Sequence, residues 1–187
     1  MSIKRFVELL KREQGYVVLD TETTGFDERA EVCQIALASS SGEVLFDTLV
    51  KPSRPIPSDA FRIHGISNEM VASAPSWGEV RAQLIPLVTA KHVVIYNANY
   101  DYRVLTQSDK CAGITTGLDW AFVLGWWCAM EAFAEIYGDW NDWHQSYRWQ
   151  KLETAARYYK IPVTNAHSAL GDVLTTLEVC KRIAASQ

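Results

Sequence analysis

The apolar run Tyr16-Val17-Val18-Leu19 passes without a break into Asp20-Thr21-Glu22, and that junction constrains the fold more than any other feature of the chain. A short, continuously apolar run rich in β-branched residues reads as a strand buried on both faces. Burial on both faces requires a sheet covered by helices on each side. The acids come where that strand ends. A spacing of two in extended backbone puts Asp20 and Glu22 on one face, where two carboxylates repel unless one is protonated or a cation lies between them. A polar strand end exposed to water explains the doublet equally well when it is taken alone.

The rest of the chain supplies the partners such a strand needs. Ile3, Phe6, Val7, Leu9 and Leu10 recur at helical spacing after Ser2, a plausible N-cap. Residues 32–38 and 43–50 read as strands joined by a turn at Ser39-Ser40-Ser41-Gly42. After a Pro-rich connection comes a short polar stretch with Ile63-His64-Gly65-Ile66, then a helix near Trp77 to Val88, a strand at His92 to Tyr96 and a helix at Tyr100 to Thr106. Residues 107–120 have no clear pattern, and Phe122 to Cys128 suits a strand or a helix. Glu131 to Tyr137 reads as helix, Gly138 to Trp149 as loop, and the chain closes with helices at Leu152 to Tyr159 and Ser168 to Ala184. Strands alternating with helices in 187 residues, 48% of them hydrophobic, predict an α/β fold. Its expected form is a single layered domain over residues 1–187, with a mixed sheet of about five strands flanked by helices.

Three more polar residues stand where a purely structural role is hard to supply. Asp101 follows the fourth strand near the start of a helix, although an acid there also complements the helix dipole. His167 and Asp172 lie at the entry to the last helix. Five residues of helix turn through about 140°, so the pair acts together only if His167 sits on the lead-in. A histidine capping the last helix is the plainer reading of that position. The four cysteines are scattered without CxxC spacing, which indicates neither a zinc site nor a disulfide framework.

In order, Asp-x-Glu, Asp and His-x-x-x-x-Asp resemble the DEDD superfamily of 3′→5′ exonucleases, in the subgroup with histidine in the third motif (DEDDh). Val18-Leu19-Asp20-Thr21-Glu22-Thr23-Thr24-Gly25 is similar to the first motif, Asn97-Ala98-Asn99-Tyr100-Asp101 to the second and His167-Ser168-Ala169-Leu170-Gly171-Asp172 to the third. Ile63-His64-Gly65-Ile66 resembles a family segment between the first two, so the likeness runs from about Tyr16 to Ile183. Two positions depart from it. Tyr96 stands where many members have His, and Cys128-Ala129-Met130 where many have Asp-Thr.

The resemblance implies a ribonuclease H-like fold and a metal-dependent 3′→5′ exonuclease that releases nucleoside 5′-monophosphates. Asp20, Glu22, Asp101 and Asp172 would be oxygen ligands for two Mg²⁺ or Mn²⁺ ions, which in such reactions lie roughly 4 Å apart. One ion would be held by most of that set and activate water, the other chiefly by Asp20 and the phosphate. His167 would be the general base. Thr23, Thr24 and Gly25 would meet the 3′-terminal sugar, Asn97 and Tyr100 would line the same pocket, His64 would touch the substrate, and Phe26 or Ile66 would stack or wedge against bases.

A net charge of −4 argues against a chain that grips nucleic acid by overall basicity. Setting the four candidate ligands aside leaves eighteen acids against eighteen Lys and Arg, so the remainder is neutral and two divalent ions would balance the site. The expected partner is therefore a nucleic acid 3′ end, DNA or RNA with single strands favoured. No membrane is involved, the location is cytoplasmic, and a homodimer is compatible with the family. Two alternatives are a proofreading-type polymerase subunit and a non-catalytic domain binding nucleic-acid ends or a protein. With only fifteen residues after Asp172, a stand-alone nuclease is the first expectation. Trp140, Trp143, Tyr147, Arg148 and Trp149 have a composition suited to stacking unpaired bases. Packing over a sheet edge or against a second copy are the competing readings.

Overall fold

A computed structural model describes residues 2–12, 15–116 and 120–186. The buried run becomes the central strand β1 (Tyr16–Thr23), which extends through both acids. It pairs antiparallel with β2 (Val32–Ser39), and β2 with β3 (Val44–Leu49). On its other side β1 runs parallel to β4 (His92–Ile95), and β4 to β5 (Gly125–Cys128). The order β3-β2-β1-β4-β5 is the mixed five-stranded sheet expected from the sequence.

The two edges of β1 have different lengths. Toward β2 it is paired from Val17 to Thr23, but toward β4 the register stops at Val18↔Val94. Beyond Val18 one edge of β1 is therefore open, just where the acids begin. Helix α1 (Ile3–Leu10) opens the chain. The polar stretch of the Ile63-His64 motif is a helix, α2 (Ser58–His64), bracketed by Pro57 at its N-cap and by Gly65, whose φ of 71° supplies the left-handed C-cap. Seven residues are too few for apolar periodicity to show. A single turn, α3 (Asn68–Val71), follows, and α4 (Trp77–Val88) lies where expected.

Helix α5 (Ala98–Cys111) is longer than its sequence pattern at both ends. It accounts for part of the unassigned 107–120 stretch, of which 117–119 lie outside the described residues. Helix α6 is Ala129–Tyr137. The segment expected as loop holds a small hairpin, β6 (Trp140–Asn141) with β7 (Ser146–Tyr147). Helices α7 (Leu152–Tyr159) and α8 (Ala169–Ser186) finish the chain. Helix α8 packs on β1 and β2, and the core around them is continuous, with Val18, Ile35, Leu84, Val94, Leu105 and Ile183 shut off from solvent. No helix among the described residues is long and apolar enough to cross a membrane.

A buried ion pair joins α4 to α5. Asp109 is inaccessible and accepts the Trp77 indole N–H at 2.7 Å, with Arg81 Nε at 2.8 Å. Removing one member of a buried pair strands the other charge, which typically costs about 3–5 kcal/mol. Asp109→Ala is expected to lower the melting temperature by roughly 10 °C for a chain of this size, as measured by circular dichroism.

Candidate active site

Even-numbered residues of β1 face α8, and odd-numbered ones face α5. Asp20 and Glu22 accordingly meet Asp172 from the first turn of α8. One carboxylate oxygen from each of these three lies within 4.8 Å of the others. Gln34, opposite Glu22 in the β1–β2 register, holds that helix in place. Its Oε1 accepts the Ala169 N–H at 3.2 Å, while its Nε2 donates to Asp47 Oδ1. One of the helix's first unpartnered N–H groups is thus satisfied from the sheet.

Asp101 approaches from the opposite layer, through the open edge of β1. It is 3% exposed. Its Oδ1 accepts the Thr21 hydroxyl at 2.7 Å, and it also accepts from the Thr21 main chain. The fourth acid therefore lies behind the other three, close enough that its charge acts on Asp20 and Glu22.

Crowding four acids in a buried site pushes every one of them above the ordinary carboxylate range. Glu22 rises to about 8, first through burial and then through Asp172 and Asp101. Asp101 rises to about 7 through burial, against the hydrogen bonds from Thr21. Asp20 is raised by burial and then by Asp101, Asp172 and Glu22. Asp172 is raised chiefly by burial, with His167 opposing. A set of oxygen donors held together against repulsion suits a hard divalent cation such as Mg²⁺ or Mn²⁺.

His167 sits on the lead-in to α8, as its spacing from Asp172 requires. Its φ of 61° is left-handed, an uncommon conformation for a non-glycine residue. Its main-chain N–H is bonded to Asp172, and its Nε2 lies 3.7 Å from Glu153 Oε1 of α7. Glu153 is the site residue that sequence reading missed. An acid in a helix's first turn has an ordinary reason to be there, and nothing local connects it with His167. The turn itself depends on Gly171. A Cβ at that position would collide with the Asn165 carbonyl oxygen and stand 2.8 Å from that of Thr164.

The candidate substrate residues divide into two groups. Tyr100 closes the loop after β1. Its hydroxyl donates to the Gly25 carbonyl at 2.7 Å and shares a hydrogen bond with Thr23 Oγ1. Phe26 is 71% exposed and leans on the Tyr100 ring at 5.7 Å, and the Arg103 guanidinium lies over the same ring, 5.3 Å from its centroid. Thr24 ties the loop to Glu31, whose N–H donates to Thr24 Oγ1. Asn97 is exposed at the N-cap of α5.

His64 and Ile66 face inward instead. Because His64 Nδ1 accepts the Ile66 N–H, its Nε2 carries the proton and donates to the Thr23 carbonyl at 3.2 Å. Both ring nitrogens hold the fold, and burial keeps the imidazole pKa low. Ile66 is 4% exposed, packed with Cys33, Ile56, Ala60 and Val71. The expectation that it wedges against bases is corrected by that burial; the exposed apolar side chains of the neighbouring helix are Phe61 and Ile63.

The sequence profile of the exonuclease family RNase_T matches residues 17–180. The uncharacterized exonuclease CP81 of Escherichia phage 186 is 38% identical over 174 residues, spanning 92% of this chain and 89% of the relative. Among solved structures, exonuclease X in complex with 5′ overhanging duplex DNA superposes with a TM-score of 0.65 at 24% identity, covering 92% of each chain. The nuclease domain of 3′hExo, a DEDDh family member bound to rAMP, gives 0.70 at 14% identity over 94% of each. These two likenesses bear on the fold, which is the ribonuclease H-like one.

Acids whose pKa is raised by folding retain protons that the unfolded chain releases, so their contribution to stability falls as pH rises from the unfolded values toward 8. In a chelator, the melting temperature of Glu22→Gln should rise relative to wild type between about pH 5 and about pH 9, and added divalent cation should close the gap. Gly171→Ala should displace the turn that carries His167. The expected result is a loss of turnover of at least about tenfold with the β-sheet circular dichroism retained.

Proposed function

We propose that this chain, a nuclease that belongs to the exonuclease family RNase_T, removes nucleotides one at a time from the 3′ end of a nucleic acid and releases nucleoside 5′-monophosphates. The observation that carries the reading is the cluster of Asp20, Glu22 and Asp172, three carboxylates within 4.8 Å with Asp101 behind them. Asp20, Glu22 and Asp172 would hold the divalent metal, with Asp101 completing the set. Bound there, two Mg²⁺ or Mn²⁺ ions supply the charge that neutralises the phosphate oxygens and lowers the pKa of water.

The protein's own groups account for the remaining needs of the reaction. His167 takes the proton from the attacking water, being within the field of Asp172 and on a turn fixed by Gly171. Glu153, 3.7 Å from Nε2, steadies the imidazolium that results. The in-line attack expels the 3′ oxygen of the preceding nucleotide. The loop Thr23-Thr24-Gly25, braced by Tyr100 and by His64 beneath it, positions the terminal sugar. Phe26, exposed at the rim, offers a face to the terminal base, and Asn97 lines the same side.

An end held through phosphate and sugar fits a neutral remainder of the chain better than a long basic track would. We infer that single strands are preferred, since the scissile phosphate must reach buried carboxylates. The unit of activity is residues 1–187 as one domain.

The test uses 5′-labelled single-stranded DNA and RNA of matched sequence with Mg²⁺, Mn²⁺ or chelator. A ladder that shortens from the 3′ end, requires metal and is abolished by Asp20→Ala and Asp172→Ala is expected. His167→Ala should retain metal binding and lose roughly 10²- to 10⁴-fold in turnover. Near wild-type turnover in Asp20→Ala would refute the assignment, and loss of metal affinity in His167→Ala would make that residue a ligand.

A further inference from the structure

We propose that the β6–β7 hairpin is a platform on which unpaired bases of the substrate strand stack, an inference that rests on the nuclease reading above and assigns the part of the polymer gripped beyond the scissile nucleotide. The hairpin carries Trp140, Trp143 and Tyr147, and Trp149 follows it by two residues. Trp143 is 89% exposed and Trp149 68% exposed, an arrangement that a monomer gains nothing from in water.

The exposed rings stand on a well-ordered frame. Trp140 and Tyr147 are cross-strand partners with ring centroids 5.0 Å apart at 76°, an edge-to-face contact that fixes both. Asn141 Oδ1 accepts the N–H groups of Trp143 and His144 and so shapes the turn. At the open end, the Arg148 N–H donates to the Asp139 carbonyl at 2.8 Å, and the two side chains pair at 3.2 Å. Trp140 and Tyr147, held this way, lose little freedom when a flat ligand covers them.

The frame is tied directly to the site. The Tyr96 hydroxyl, at the end of β4, donates to the carbonyls of Gln150 and Lys151 at 3.0 and 3.1 Å. Lys151 is the N-cap of α7, and two residues later Glu153 contacts His167. Trp149 precedes Glu153 by four residues, so the chain between them spans at most about 14 Å. A stacked strand places one phosphate about every 3.4 Å, so the main chain of Trp149 lies within about four stacked nucleotides of that of Glu153, the residue in contact with His167.

Two features favour bases over a second copy of the chain as occupant. The core of a stable protein interface is depleted of charge, whereas each ring here has polar or charged neighbours, as in Asp139-Trp140-Asn141-Asp142-Trp143-His144 and Arg148-Trp149-Gln150. Separate aromatic faces, linked along the chain to Glu153 beside His167, match the stacking half of the way single strands are held without regard to sequence.

The test compares wild type with Trp143→Ala/Trp149→Ala and with the corresponding double Phe variant. The substrates are a single-stranded DNA of roughly twelve nucleotides and the p-nitrophenyl ester of thymidine 5′-monophosphate, which has no neighbouring base. The ratio of kcat/KM for the strand to that for the ester should fall at least about tenfold in the Ala variant, through KM, and return to within about threefold in the Phe variant. An unchanged ratio in a folded Ala variant overturns the platform and leaves the nuclease reading intact. Failure of wild type on both substrates is failure of the nuclease reading. The platform is then decided by anisotropy of the fluorescein-labelled strand in chelator, where equal binding by wild type and the Ala variant overturns it. A smaller sedimenting species in the Ala variant with an unchanged ratio assigns the rings to contact between two copies, which also overturns it.

Discussion

Repulsion among carboxylates at the end of β1 sets the terms for the surrounding structure. Asp20 and Glu22 share one face of a central strand, Asp172 is lowered onto them from α8, and Asp101 presses in from α5. In water four such groups would separate; in a buried site they hold protons instead, with Glu22 raised to about 8 and Asp101 to about 7. The fold around them is what prevents separation. A strand and two helices supply the mounts for all four, and burial of Val18, Ile35 and Ile183 in one core keeps those mounts in register.

The device that brings acids from two layers together is the unequal pairing of β1. Because β4 ends at the level of Val18 while β2 continues to the level of Thr23, the open edge admits Asp101 and lets the Thr21 main chain and hydroxyl bond to it. Gln34 then fixes the start of α8, and the absence of a side chain at Gly171 lets the 164–168 turn fold against the helix. The strained φ of His167 is sustained by that packing. The reaction proposed above asks for charge, a base and a held substrate end, and the carboxylate cluster, His167 and the Thr23-Thr24-Gly25 loop are the groups proposed to supply them.

Much of this was legible in the sequence because it is written in short-range patterns. Two β-branched residues before an acid pair specify a buried strand with a charged end, and the 32–50 hairpin follows from its Ser-Gly turn. The motifs on either side of His167 and Asp172 fall on a lead-in and a helix face as five-residue spacing demands. What was not legible depends on contacts between distant segments or on elements too short to show a period. Helix α2 has seven residues and one buried side chain. The inward burial of Ile66 comes from a satellite cluster assembled from three segments. Glu153 meets His167 only after α7 and α8 pack together, and the hairpin of residues 140–147 rests on two bridging pairs.

Whether the carboxylate cluster receives divalent cations is decided by calorimetric titration of Mn²⁺ into the metal-free protein, and the structure requires that it does. Titrations near pH 7 in buffers of different ionisation enthalpy count the protons displaced. Saturable binding with release of about one proton or more, lost in Asp20→Asn, is the predicted result, because acids raised to about 7 and about 8 are partly protonated there. Absence of saturable binding, or binding that displaces no protons and survives in Asp20→Asn, would contradict it.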